Sequence, residues 1–150
     1  MKKIIKKSLF IFVVISVCFL FSACINKMAS RYVDNWEAQT LKKLENPEPG
    51  EEPLLRAQLA DIYNAKAQFI LVNEPEKEEE ALNYLQQSVD LCNYIIKQWP
   101  NEYEHDPNVK TKVNLTMGGN MFLLKKYDEI GKWCSLISDT KCPQVLKELQ

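Results

Sequence analysis

The chain has 150 residues, of which 46% are hydrophobic and 26% are charged, and its formal net charge is −1. This length supports one domain with a hydrophobic core, but not two. The chain has 19 basic and 20 acidic residues. This composition gives no electrostatic reason to bind nucleic acid, because such binding needs clustered Lys and Arg.

Residues 1–23 have the order of a secretory signal peptide. Four lysines lie among the first seven residues, an apolar run extends from Ser8 to Phe21, and the small residues Ser22 and Ala23 follow. The run is shorter than the roughly 20 apolar residues that a transmembrane helix needs. The pattern therefore predicts cleavage between Ala23 and Cys24. An ordinary signal, in which Cys24 has no special role, and an uncleaved anchor helix are the alternatives.

The four residues Phe21-Ser22-Ala23-Cys24 resemble the lipobox of bacterial lipoproteins, with Phe21 where Leu is usual. The resemblance implies a covalent lipid on Cys24, which anchors the mature chain to a membrane, and no other cofactor is expected. Ile25 stands where Asp would favour inner-membrane retention, so in a Gram-negative cell the resemblance implies the outer membrane, facing the periplasm. Without residues 1–23 the chain has 15 basic and 20 acidic residues, a net charge of −5, so the lipid must do the tethering.

After a short tether at residues 24–30, residues 31–150 are predicted to be helical. Ser30 can cap a first helix that ends near Glu45, before the breakers in Asn46-Pro47-Glu48-Pro49-Gly50. Pro53 can occupy the first turn of a second helix, which Asn73-Glu74-Pro75 ends. The predicted inward residues are Val33, Trp36, Thr40 and Leu44 on the first helix, and Leu55, Leu59, Ile62, Ala65, Phe69 and Val72 on the second.

A third helix is predicted to begin in the acidic stretch from Glu76 to Glu80 and to end at Pro100. Its predicted inward residues are Ala81, Leu82, Leu85, Val89, Cys92, Ile96 and Trp99. A polar loop over 101–107 contains His105, the chain's single histidine. The surrounding acids lack zinc-ligand spacing and the glycine of a calcium loop, so we expect a solvated loop and no metal site.

A fourth helix is predicted around Val113, Met117, Met121 and Leu124, and a fifth from near Tyr127. The fifth is predicted to bury Ile130, Trp133, Cys134 and Ile137, and a short last turn begins at Pro143. Short connections between such helices predict an all-α fold of antiparallel helical hairpins, arranged as a bundle or a short solenoid.

Residues 54–143 resemble a degenerate tetratricopeptide repeat. Met117-Gly118 falls where Leu-Gly is usual in that motif, and Tyr127 falls at the aromatic before the second helix. Leu59-Ala60-Asp61-Ile62-Tyr63 resembles the first helix of a repeat, and Ala81, Leu85 and Ser88 resemble the second. The resemblance implies helical hairpins that touch at small residues. A plain helical bundle whose apolar stripes mimic the repeat is the alternative.

These patterns favour a membrane-anchored protein-interaction module of the cell envelope, with an unidentified envelope protein as partner. The candidate partner groove contains Tyr63, Tyr84, Tyr127 and Trp133, because Tyr and Trp are enriched where interfaces bind tightly.

Cys134 and Cys142 could form a disulfide in an oxidising compartment, or both could be buried thiols. No residue set offers acid, base and nucleophile together, so an enzyme is not expected. A protective or structural envelope lipoprotein (immunity, exclusion or lysis accessory) is one alternative. A small-ligand carrier, with a pocket near Met117, Met121, Phe122 and Trp133, is the other.

Overall fold

A computed structural model describes residues 28–126 and 129–130 of the chain. These residues are helical with no strand, which confirms the predicted all-α class. Helix α1 covers residues 28–45. The others are α2 (Glu52–Asn73), a short 3₁₀ helix (Pro75–Lys77), α3 (Glu78–Gln98), α4 (Pro100–His105) and α5 (Pro107–Leu123).

Local sequence chemistry sets the ends of these helices. Pro53, Pro100 and Pro107 each lie in the first turn of a helix, where the missing N–H costs no intrahelical bond. The carboxylate of Asp106 accepts a hydrogen bond from the backbone N–H of Asn108 at 2.8 Å and so caps α5. The first turn of α3 carries three glutamates, which suit the positive end of the helix dipole. The predicted second and third helices are confirmed at these boundaries.

Helices α2 and α3 form an antiparallel hairpin. Ser88 of α3 donates a hydrogen bond to the carbonyl of Ala60 at 2.7 Å, and the rings of Tyr63 and Tyr84 lie 5.7 Å apart. From the first contact to the second, the residue number increases along α2 and decreases along α3, so the two helices run in opposite directions. Ala60 is fully buried, and its small side chain lets the two helices approach closely.

Helix α5 packs against both members of this hairpin. It runs parallel to α2, because Asp61 contacts Lys112 and Asn64 contacts Asn120. It runs antiparallel to α3, because Cys92 lies near the carbonyl of Val113 while the earlier residue Ser88 contacts the later residue Asn120. The core between the three helices contains Ala57, Ala60, Cys92, Ile95, Val109, Val113, Met117, Met121 and Ile130.

A chain of buried polar groups connects the three helices. Asn64 donates a hydrogen bond to Oδ1 of Asn120 at 2.8 Å, and Asn120 donates to Oγ of Ser88 at the same distance. Ser88 in turn donates to the Ala60 carbonyl. Asn120 and Ser88 are fully buried and cannot reach water. Each of these hydrogen bonds therefore replaces one that the polar group made with water before folding.

Two predicted inward residues are wrong. Val72 is 73% exposed because α5 ends at Leu123, three residues after Asn120 contacts Asn64, and so does not cover the end of α2 on that side, whereas Ala67 and Ile70 of the same turns are buried. Leu82 is 44% exposed, because Ala81 and Leu85 of α3 point into the core and Leu82 lies about 100° from Ala81 around the helix axis. Ala65 and Phe69 are only partly buried.

Two predicted boundaries are also wrong. Most of the predicted loop at 101–107 is helix α4, because Pro100 begins a new helical turn directly after α3 ends. Residues 28–30, predicted to belong to the tether, are helical, so Ser30 lies within α1 and does not cap it. The first helix does turn Val33, Trp36, Thr40 and Leu44 inward, with Thr40 buried and the other three partly buried.

Candidate binding groove

A groove with a volume of about 540 Å³ lies between α2 and α5, near the beginning of both helices. We call it the α2–α5 groove. Its α2 side contains Leu54, Gln58 and Asp61, which recur at steps of four and three residues and so share one helix face. Its α5 side contains Pro107, Asn108, Thr111, Lys112, Leu115 and Thr116.

One ion pair crosses the groove. Nζ of Lys112 lies 2.9 Å from Oδ2 of Asp61, and the side chains are 31% and 37% exposed. A partly exposed pair of this kind contributes little to stability, typically about 0–1 kcal/mol. Both charges are therefore accessible to polar groups of a bound molecule at small cost to the fold.

The groove also presents apolar side chains to solvent. Leu115 is 56% exposed, and Leu54 on the opposite side is partly buried. These two leucines give the groove apolar contacts beside its ion pair.

The two helices are held close behind the groove. A Cβ atom added to Gly119 would lie 3.2 Å from Nδ2 of Asn64, tighter than ordinary contact. Absence of a side chain there lets α5 approach α2 at the point where Asn64 bonds Asn120. The tetratricopeptide resemblance pointed to Gly118 for such an approach, and the contact is seen at its neighbour.

Thr116 lies at the floor of the groove and is 3% exposed. Its hydroxyl has no hydrogen-bond partner among the described residues. A buried hydroxyl without a partner costs about 1–3 kcal/mol. Rotation about its Cα–Cβ bond toward the groove would give that hydroxyl to a polar group of a bound molecule.

Tyr63 and Tyr84, two of the predicted groove aromatics, lie elsewhere. Tyr63 lines a separate cavity between α2 and α3 that includes Leu59 and Tyr94, outside the α2–α5 groove. Its ring packs against Tyr84 at 5.7 Å. Tyr127 and Trp133 lie outside the described residues, as do Ala23, Cys24, Cys134 and Cys142.

Beside this aromatic pair, Lys66 joins α1 to α2. Its ammonium group lies 2.9 Å from Oδ1 of Asp34, donates to the carboxylate of Glu37, and stands 5.4 Å from the Tyr84 ring centre. Burial alone would lower the pKa of Lys66, but the hydrogen bonds to Glu37 and Asp34 outweigh it and raise that pKa. Lys66 therefore stays charged and holds α1 in place.

The pKa of Tyr63 responds to the same cluster. Burial raises it above the ordinary value, and the carboxylate of Glu37 raises it further. The phenol thus stays protonated at neutral pH and acts as a packing and hydrogen-bonding group.

Other residues of chemical interest have structural roles. Burial raises the pKa of the fully buried Cys92 to about 12, so it is a protonated core thiol, as predicted, and a poor nucleophile. Met117 and Met121 pack into the core, whereas Phe122 is about half exposed. His105 is exposed on α4. Within the described ranges, no three His, Cys, Asp or Glu side chains are grouped to hold a metal ion.

No family model, curated protein or solved structure matches this chain. Among the residues that the structure describes, no helix has both the length and the apolar character to cross a membrane. Functional assignment therefore depends on the groove and on the N-terminal sequence.

Proposed function

We propose that this protein is a lipid-anchored binding module of the cell envelope, and that its α2–α5 groove holds a segment of a partner protein. The observation that carries the proposal is the position of Leu115. Its apolar side chain is 56% exposed at the groove, beside the Asp61–Lys112 ion pair. An apolar contact next to a few polar groups is the usual composition of a recognition site.

A protein segment suits this groove better than a small molecule does. The groove runs beside α2 from Leu54 to Asp61 and beside α5 from Pro107 to Thr116, so it can hold a short extended or helical segment. Gln58, Asn108 and Thr111 offer donors and acceptors for a partner's backbone, and Leu115 offers an apolar contact. The tetratricopeptide resemblance agrees with this use, because helical-repeat domains bind partners on a concave surface.

The anchor is tested by the mass of the mature amino terminus. We expect protein purified from its own membranes to begin at Cys24 and to carry a diacylglycerol group and an amide-linked acyl chain. The reason is that the small residues Ser22 and Ala23 precede Cys24 at the end of a signal sequence. A mature chain that starts elsewhere, or an unmodified Cys24, would contradict the anchor.

The groove is tested by placing a charge on its apolar contact. In Leu115→Glu the new carboxylate would have to be desolvated against the partner. We expect at least a tenfold loss of the partner recovered with the protein after crosslinking in membranes, about 1.4 kcal/mol of binding.

Leu82→Glu is the matched control, because Leu82 is also exposed but lies on α3, away from the groove. Recovery should be unchanged in this variant. If both variants, or neither, lose the partner, the groove is not where it binds.

A further inference from the structure

The exposed beginning of α1 presents two large apolar side chains away from the protein core. Met28 is 63% exposed and Tyr32 is 71% exposed. They are four residues apart in one helix, so they share a face. The face that α1 turns inward contains Val33, Trp36 and Thr40 instead.

This part of α1 has a fixed orientation. Asp34 and Glu37 both bind Lys66 of α2, and Ser30 and Val33 line a cavity of about 240 Å³ with Phe69 and other residues of the neighbouring helix ends. Met28 and Tyr32 are therefore held pointing outward by contacts on the other side of the helix. Their exposure does not come from a detached helix end.

The chain itself indicates what covers these two residues. Met28 is four residues after Cys24. Because an extended chain spans at most about 3.6 Å per residue, Cys24 and Met28 are at most about 14 Å apart. A lipid on Cys24 places that sulfur among the headgroups, a layer roughly 5–8 Å deep on each side of the bilayer. Met28 and Tyr32 are then within reach of the same layer.

We propose that the first turns of α1 are a second membrane contact, in which Met28 and Tyr32 enter the headgroup region of the bilayer beside the lipid on Cys24. This inference rests on the proposed anchor. Tyr suits such a position, because its ring is apolar and its hydroxyl reaches water. The contact sets the orientation of the domain as well as its attachment.

The charges around this contact indicate an apolar interaction. Exposed glutamates at the beginning of α3, among them Glu78 and Glu79, lie at the same end of the molecule as the beginning of α1, because Glu80 lines the cavity that contains Ser30. Their charge is repelled by anionic lipid, whereas exposed Arg31, between Met28 and Tyr32 in α1, is attracted to it. With charges of both signs nearby, the contact relies on apolar insertion.

The orientation also places the α2–α5 groove. Lys66 lies beside the membrane-facing turns of α1, and Gln58 of the groove is eight residues earlier on α2. Eight helical residues span about 12 Å. The groove thus lies about 12 Å along α2 from the residue that binds α1, toward the other end of that helix.

The test uses the mature chain with an N-myristoylated glycine in place of Cys24. One myristoyl chain binds membranes only weakly, with a constant of about 10⁴ M⁻¹, so a second contact is measurable as co-sedimentation with phosphatidylcholine vesicles. We expect Met28→Ser/Tyr32→Ser to lower the partition constant about tenfold. Tyr32→Trp, which preserves an interfacial ring, should bind as the parent chain does.

Val72→Ser/Leu82→Ser is the matched control, since it removes two other exposed apolar side chains. We expect it to remain within twofold of the parent. Equal partitioning of the Met28/Tyr32 variant and the parent, or an equal loss in the control, overturns the proposal. Because the myristoyl group is supplied, this result is independent of whether cells acylate Cys24, which the mass of the mature amino terminus tests separately.

Discussion

Replacing Asn120 with alanine is expected to lower the free energy of unfolding by about 2–3 kcal/mol. Asn120 is fully buried and holds one hydrogen bond from Asn64 of α2 and one to Ser88 of α3. Alanine removes both bonds and leaves the Asn64 amide without its acceptor. The loss occurs although alanine has the higher helix propensity.

Urea unfolding of the mature chain without lipid, followed by circular dichroism, measures this loss. Asn83→Ala is the matched control, because Asn83 is exposed on α3 and its hydrogen bond with Gln87 is open to water. That variant should lose less than about 0.5 kcal/mol. Equal stability of the two variants would mean that the polar chain between the helices does not form.

A second large effect is expected from Leu85→Ala, with a loss of about 2–5 kcal/mol. Leu85 is fully buried in a cluster with Ala67, Ile70 and Ala81, where the α2–α3 hairpin closes. Its removal leaves a cavity that rigid neighbouring helices fill only in part. Thermal and urea unfolding should both report the loss.

Leu82→Ala tests whether the inward face of α3 is correctly identified. Sequence periodicity placed Leu82 and Leu85 on the same buried face, but the structure exposes Leu82. We therefore expect this variant to change stability by less than about 0.5 kcal/mol. Comparable losses from both leucines would require α3 to be rotated about its axis.

The helices could be predicted because their ends depend on local chemistry. Pro53 begins α2 at the place that the sequence indicates, and α3 ends just before Pro100 as predicted, although Pro100 then begins the helix α4 where a loop was expected. Helix faces were predicted less well near the ends, as Val72 and Leu82 demonstrate. Apolar periodicity gives the direction of a face, but the contacts of the last turns depend on where neighbouring helices end.

The candidate site required the tertiary structure. Asp61 and Lys112 are 51 residues apart, and neither belongs to a motif that predicts their contact. Asn120 would be assigned to the surface by residue type, and only the packing of three helices makes it interior. Tyr63 and Tyr84 do meet, yet in an aromatic pair on another side of α2.

The buried polar chain has a consequence for binding. It joins α2 and α5 directly behind the groove, at Asn64, Asn120 and the close approach of Gly119. A groove with fixed walls loses less conformational entropy when a partner binds. The Asn120→Ala variant should thus weaken partner binding even under conditions in which the protein stays folded.

Photocrosslinking in living cells tests the central claim most directly. A benzophenone amino acid replaces Gln58 in the groove, or Gln86 on the exposed face of α3 as a control. We predict a discrete crosslinked product from position 58 that disappears when Leu115→Glu is added, and none from position 86. Absence of a product from position 58, or one that Leu115→Glu leaves unchanged, would contradict a partner-binding α2–α5 groove.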